Sequence, residues 1–490
     1  MTMTTKLYLI GCIIQELQKT KDVAVTSMTG MASLQLGLGA TTIHHWSGIM
    51  DCRHTHEDLM ILFDTDDRFQ SAKTRIIKSN VLVIDEIGMM SKTVLEMLEF
   101  VCRYVRGNTS VFGGLQVIAN GDFKQLPPVP NRRFDDDGSF CFLSPLFQKT
   151  FPHHINLQQV VRQNEEDLVQ AIHELCDGDP SKETEQLLRR LSRPLHNAVD
   201  VVKLFGTNFD ADYINHEMLN SIDGNDKVYK SVDEGEVKLL MHSAAPKNLL
   251  LKVGAPVILI RNLEHNLFNG TRGVVTKLTE EGPVISVAGK NVPVPLTKFE
   301  VYDKTKKVTL ATRLQYPVKL AFALTVHRAQ GQTIPYLEVD CFSFFSPGQM
   351  GVAIGRAVNK KGLRVVNYNS AAAHLKHPGE VYDFYHQQIL DFAQDLSCCR
   401  HTVDEDTSTL SQKSSEDYDN EEPYESPSSD SEADINLHRQ CPWDVKEFLE
   451  LNKGSPCVSD KPSGFGETEI LKKHVQYLYA KVLEVMAKET

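Results

Sequence analysis

The chain has 490 residues, 41% hydrophobic and 24% charged, the balance of a globular protein with room for two to four cores. It holds no run of about 18 apolar residues, which excludes a spanning helix, and no CxxC pair among its ten cysteines, which excludes the common zinc spacings and a secreted disulfide framework. The net charge of −12 argues against a nucleic-acid partner only until it is divided: residues 371–490 hold 11 basic and 24 acidic residues (net −13), which leaves residues 1–370 at +1.

The N-terminal MTMTTKLYLIGCIIQELQ has a short apolar patch and no small-residue cleavage site, so it reads as a buried element, not a signal peptide. From Lys6 to about Asn369, β-branched runs alternate with longer helical patterns, the rhythm of parallel α/β sheets. The expected buried strands are Val23–Val25, Val81–Ile84, Leu115–Ala119, Leu337–Phe342 and Leu363–Asn367. Between Ser91 and Val105 the positions Val94, Leu95, Leu98, Val101, Cys102 and Val105 recur at helical spacing, which predicts an amphipathic helix. Residues 251–310 (LKVGAPVILIRN, RGVVTKL, GPVISVAG, KNVPVPL) read as short strands with Gly/Pro turns, a small inserted β-barrel. Residues 401–435 hold twelve acids and one Lys with no apolar period, the composition of a disordered segment. Helical period returns in PWDVKEFLEL and EILKKHVQYLYAKVLEVM; a docked or loose helix is the plainer reading, a protein-partner module over 437–490 the other.

Chemistry concentrates at two strand ends. VLVIDEIGMM (81–90) puts two carboxylates just past four buried apolar residues, where open α/β sheets bind ligands. Asp85 there suits Mg²⁺ and Glu86 suits taking a proton from an attacking water; a strand followed by a solvated acidic turn is the competing reading. LQVIANGDFKQLPPV (115–129) repeats the pattern, with Gly121–Asp122 at the strand end and Gln125 ahead of Pro127–Pro128. An amide so placed can accept from a water and donate to a phosphate oxygen. Alone it would be a proline-closed loop; paired with VIDE the pattern becomes specific.

On these residues the chain resembles the Pif-type helicases of the RecD-related, 5′-to-3′ branch of superfamily one, over roughly residues 6–370. VAVTSMTGMASLQLG (23–37) and ATTIHHWSGI (40–49) look like motifs Ia and Ib, VLVIDEIGMM like motif II, and the following SKTVLEMLEFVCRYVRGNTSVFGG like a signature helix of eukaryotic members. GDFKQLPPV is similar to motif III, VVRQ (160–163) to motif IV, NGTRGVV (269–275) to the opening of the β-barrel insertion, LAFALTVHRAQGQT (320–333) to motif V and GQMGVAIGRA (348–357) to motif VI. The resemblance implies an α/β fold: two RecA-like P-loop NTPase domains, a small SH3-like β-barrel insertion in the second, and a disordered acidic tail. The expected division is 1–155 for the first domain, 156–250 for the start of the second with linker helices, 251–312 for the insertion and 313–375 for the rest of the second domain. A C-terminal helix (376–400), an acidic linker (401–436) and a helical segment (437–490) follow.

The resemblance further implies ATP and Mg²⁺ between the domains and single-stranded DNA or DNA junctions across their top. Unwinding in DNA repair, recombination or telomere maintenance follows, in the nucleus or alternatively the mitochondrion. Arg162 and Arg356 take the positions of arginine fingers, each otherwise a surface ion-pair partner. Gln330 takes a nucleotide position, His327 a link to the DNA backbone, and His44 and Trp46 offer rings to a base, with the core as the alternative for Trp46. Two departures are visible: AIGRA stands where ALSRA is usual, and Arg328–Ala329 where Lys-Ser is frequent. No GxxxxGK[ST] phosphate loop occurs in the 490 residues. In the family that loop runs into a helix like TTKLYLIGCIIQELQ, which implies Lys6 in the position of the loop lysine and Leu7 where Ser or Thr is usual. The expectation is a fragment or incomplete gene model; a DNA-binding scaffold that hydrolyses ATP poorly is the alternative.

Overall fold

The structure, a computed structural model, describes residues 5–155, 165–195, 201–263, 267–303 and 306–387. Arg162, the side chain of Lys6, the far half of the expected helix over 376–400 and the segments 401–436 and 437–490 lie outside the described residues.

Strands β1 (Val23–Ser27), β2 (Thr41–Thr42), β3 (Val81–Asp85) and β4 (Gln116–Asn120) form a parallel sheet in the order β2-β1-β3-β4. A parallel sheet is covered on both faces, and β3, with every residue of VLVID buried, is its central ribbon. Helices α1 (Thr5–Leu17), α2 (Gly30–Leu36), α3 (Ile43–Ser47) and α4 (Lys92–Arg106) accompany it. The periodicity read between Ser91 and Val105 is α4: Ser91 Oγ accepts from the Val94 amide (3.2 Å), a cap of the kind that contributes about 1 kcal/mol. Gly107, at φ +59°, ends the helix, and Leu95, Leu98, Val101 and Cys102 are buried in the first core.

The second sheet starts with β5 (Val202–Phe205) and is then interrupted. The intervening strands are β6 (Asp226–Lys230), β7 (Val232–Gly235), β8 (Asn248–Lys252), β9 (Pro256–Leu259), β10 (Arg272–Thr279), β11 (Gly282–Val287), β12 (Lys290–Pro293), β13 (Thr297–Asp303), β14 (Val308–Gln315) and β15 (Val318–Leu320). They pair antiparallel as β12-β11-β10-β9-β15, β13-β14-β7 and β6-β8. The all-β part is therefore wider than 251–312, because β7 pairs with β14 and β15 with β9 across long sequence gaps. Strands β16 (Ala323–Thr325), β17 (Leu337–Asp340) and β18 (Leu363–Val366) then complete a parallel sheet in the order β16-β5-β17-β18. Strand β17 stops before Phe342, which is 75% exposed.

The insertion rests on the first domain through charges and one close backbone approach. Arg53 bonds Asp51 with both guanidinium arms (2.6 and 2.8 Å) and lies 5.4 Å from the Tyr302 ring centre, while Lys307 pairs with Asp58. A Cβ on Gly30 would sit 2.2 Å from the Asn269 carbonyl oxygen, so only glycine lets the head of α2 meet that loop.

The two parallel domains also exchange side chains. Leu126, from the loop after β4, is fully buried in the core of the second domain. Helices α5 (Glu166–Asp177), α6 (Val326–Ala329), α7 (Gln349–Ile354) and α8 (Gly379–Gln387) follow the first sheet in the chain, yet Val381 of α8 is buried in the core of the first domain.

Adding a methyl group at Gly88, where a Cβ would lie 2.5 Å from the Asp122 carbonyl oxygen, is expected to lower stability by about 1–3 kcal/mol. Gly11, inside α1, is its control, because a Cβ there would meet nothing within 4 Å. Gly11→Ala is expected to hold or raise the thermal midpoint, since alanine is about 1 kcal/mol the better helix former. Equal midpoints for Gly88→Ala and the unaltered protein would refute the packing argument.

Candidate functional site

The end of β3 is strained in order to aim its last carboxylate. Asp85 closes the strand, and Glu86 turns out of it at φ +59°, ψ 40°, a left-handed conformation that costs a non-glycine residue about 1–2 kcal/mol. The turn is held against the neighbouring strand end. A Cβ on Gly121 would lie 2.8 Å from the Gly88 amide nitrogen, and one on Gly88 would strike Asp122, so VIDEIG and NGDFKQ fit together only as glycines.

Around this turn four sequence-predicted residues gather from both domains. Asp85 is 1% exposed, and the Asn120 amide donates to its Oδ1 at 2.9 Å. Glu86 Oε2 accepts from Gln330 Nε2 at 3.4 Å, a contact between the end of β3 and the turn after α6. Arg356, just beyond α7, is 6% exposed and donates through Nε to the Val352 carbonyl (3.0 Å). Burial lowers the Arg356 guanidinium from its usual range, and the charge of Glu86 opposes that shift. A buried cation and a carboxylate that sense each other's charge across a domain boundary are what a site for a highly charged anion requires.

Gln125 is on the adjoining loop, where its Nε2 donates to Asp122 Oδ2 at 3.2 Å. That loop abuts the head of α7: a Cβ on Gly348 would lie 2.5 Å from the Lys124 carbonyl oxygen and 2.9 Å from that of Gln125. Asn120 was not among the residues singled out from the sequence. Its signal was available, because Asn120 is in register with Asp85 once β3 and β4 are aligned at their ends.

The nucleic-acid residues divide differently. Trp46 is 3% exposed and packs in the first core with Ile43, Phe63 and Phe69, which corrects the expectation that its ring stacks on a base. The cause is the short α3, whose buried face is Ile43, Trp46 and Ser47. His44 and His327 are half-buried, and burial holds both imidazoles below their usual range, so both are neutral at neutral pH and suited to hydrogen bonding or ring contact, not to charge.

Two buried polar atoms lack a hydrogen-bond partner in the protein at this site: Ser27 Oγ, in register with Asp85 across β1 and β3, and Gln330 Oε1. Such an orphan costs about 1–3 kcal/mol unless a ligand or water meets it. Among the described residues no group of three or more His, Cys, Asp or Glu gathers as a metal cage. Mg²⁺ needs none, since it binds through one or two carboxylates plus phosphate oxygens, and Asp85 fits that donor set.

Burial also lowers His54 and His377, as it does His44 and His327. Each binds fewer protons folded than unfolded, so its stabilisation is complete above about pH 6.5 and is lost as pH falls toward the folded values. The thermal midpoint is expected to be lower at about pH 5.5 than at about pH 7.5, and less so in His377→Gln, which keeps an N–H donor there. An unchanged acid sensitivity of that variant would remove His377 from the account.

With the geometry in place, comparison with known proteins is direct. Residues 1–179 match the PIF1-like helicase family and residues 238–278 the 2B domain of the DNA helicase Pif1. The crystal structure of Pif1 helicase from Candida albicans is 32% identical and superposes with a TM-score of 0.69 over 78% of this chain and 92% of that one. The ATP-dependent DNA helicase PIF1 of Emericella nidulans is 30% identical over 428 residues, 75% of this chain and 56% of that protein; the human protein of the same name is 30% identical over 380 residues, 75% and 58%. The chain thus spans just over half the length of these curated relatives. A Bacteroides Pif1 bound to single-stranded DNA, 23% identical with a TM-score of 0.67, shares the fold. On this similarity and on the two joined parallel domains, the chain is a member of the PIF1-like helicase family.

Proposed function

We propose that this protein works as a DNA helicase motor that couples ATP hydrolysis to 5′-to-3′ movement along single-stranded DNA. The observation that carries the reading is Glu86, held out of the end of β3 and met from the second domain by Gln330 and by the charge of Arg356. In this reading Glu86 accepts the proton of the water that attacks the γ-phosphate. Arg356 and Arg162 oppose the charge that builds on the transferred group, and Gln125 reports whether that group is present. Asp85 would hold Mg²⁺, which when bound neutralises charge on the β- and γ-phosphate oxygens. His44 and His327 contact the DNA, and the work is on nuclear DNA or at DNA junctions.

Glu86→Gln tests the assignment. It is expected to lower DNA-stimulated ATP hydrolysis by about 10²–10⁴-fold while single-stranded DNA affinity stays within about threefold. Hydrolysis at the unaltered rate would sink the role of Glu86. Duplexes with a 5′ tail are expected to be unwound and those with a 3′ tail not; the reverse preference would overturn the stated direction.

A second reading, a DNA-binding scaffold that hydrolyses ATP weakly, is favoured by the lack of a GxxxxGK[ST] loop in the 490 residues. That loop cradles phosphates with its backbone amides and a lysine. The 490-residue chain by itself is expected to hydrolyse ATP at least about 10³-fold more slowly than a Pif1 helicase that carries the loop. DNA-stimulated hydrolysis near the rate of such a helicase would refute this expectation. DNA affinity that is indifferent to ATP would support the scaffold.

A further inference from the structure

We infer that Tyr385 is a positioning residue: through Asp122 it holds the loop that carries Gln125 in place across the domain boundary. The inference rests on the motor reading above for the role of Gln125, and on geometry alone for the hold.

Helix α8 leaves the second domain and lies on the first, where Val381 is buried in the first core. Its Tyr385 hydroxyl donates to Asp122 Oδ1 at 2.8 Å and accepts from the Phe123 amide at 3.1 Å. Asp122 Oδ1 also takes the Lys124 amide (2.9 Å), which leaves Oδ2 to receive Gln125 Nε2 at 3.2 Å. The carboxylate is thus fixed on one oxygen by α8 and on the other fixes the Gln125 side chain. Burial and the nearby Asp122 push the Tyr385 phenol up, so it stays protonated and remains a donor throughout the neutral range.

The same strap grips the loop at two further points. His377, 4% exposed, has Nε2 at 3.1 Å from the Lys124 carbonyl oxygen and 2.9 Å from that of Cys176, which brings the loop and the end of α5 to one ring. Lys124 pairs with Asp177 at 2.6 Å, and its ammonium lies 5.2 Å from the Tyr385 ring centre and 5.8 Å from that of Tyr382. Tyr382 donates to the Asp177 carbonyl at 3.0 Å. The loop between β4 and Pro127 is therefore fastened from the second half of the chain at Asp122, Phe123 and Lys124. Gln125 is the next residue. A shift of α7 or α8 relative to β3 would be felt at its amide before it was felt at Asp85 or Glu86, which belong to the first sheet.

Tyr385→Phe removes the hydroxyl and keeps the ring, which packs against Phe384 (ring centres 5.5 Å apart). Two measurements decide the inference. In the 490-residue chain, amide exchange at Phe123 and Lys124 is expected to rise on the order of tenfold, with α4 unaffected. In the same chain, kcat for DNA-stimulated ATP hydrolysis is expected to fall about tenfold with KM for ATP within about twofold. Combined with Asp122→Ala, Tyr385→Phe is expected to add no further loss, because it acts through that carboxylate. Unchanged exchange overturns the inference, and so does faster exchange with kcat intact or with kcat and KM altered together. If the unaltered protein hydrolyses no ATP, the motor reading fails, and the exchange measurement still decides whether Tyr385 holds the loop.

Discussion

Reciprocal burial ties the two parallel domains together. The first domain gives Leu126 to the core of the second, and the second half of the chain returns Val381 to the core of the first. Fully burying a side chain of this size contributes about 1.5–3 kcal/mol. Because each contribution is made inside the partner's core, neither domain can move far without exposing an apolar residue of its own. Asp85, Glu86, Gln330 and Arg356 gather at the boundary that this exchange spans. Arg356 in particular is buried where its charge is costly, and the carboxylate that compensates it belongs to the other domain.

This constraint explains where the structure tolerates strain. Glu86 adopts a left-handed backbone conformation although it is not glycine, and Gly88 and Gly121 press together at distances no other residue would permit. Strain of this kind persists when the surroundings over-determine it. Here β3 and β4 hold it from one side and the loop fixed by Tyr385 and His377 from the other. Two polar atoms, Ser27 Oγ and Gln330 Oε1, are left unsatisfied beside the same carboxylates, as in a site arranged for a ligand.

Much of the fold was legible because its signals are local. A run such as VLVID must be buried on both faces, and the period from Val94 to Val105 can only bury one face of a helix, so β3 and α4 followed from adjacent residues. The insertion was read too narrowly for the opposite reason. Strands β6 and β7 have mixed, partly exposed patterns and β15 is only three residues long, and only pairing with β8, β14 and β9 makes them strands of these sheets. Trp46 shows the same limit at one residue: an aromatic ring beside two histidines is equally at home in a core or on a base, and the packing of α3 against Phe63 and Phe69 decided it.

By itself the sequence determined which strand ends carry carboxylates and, in the loop after β4, an amide, because strand ends are marked by a change from apolar to polar residues within a few positions. Tertiary structure alone decided that Gln330 meets Glu86 and that Tyr385 reaches Asp122 from more than 260 positions away. Those contacts join residues with no local pattern in common, and they form only when two separate cores are built and each accepts a side chain from the other.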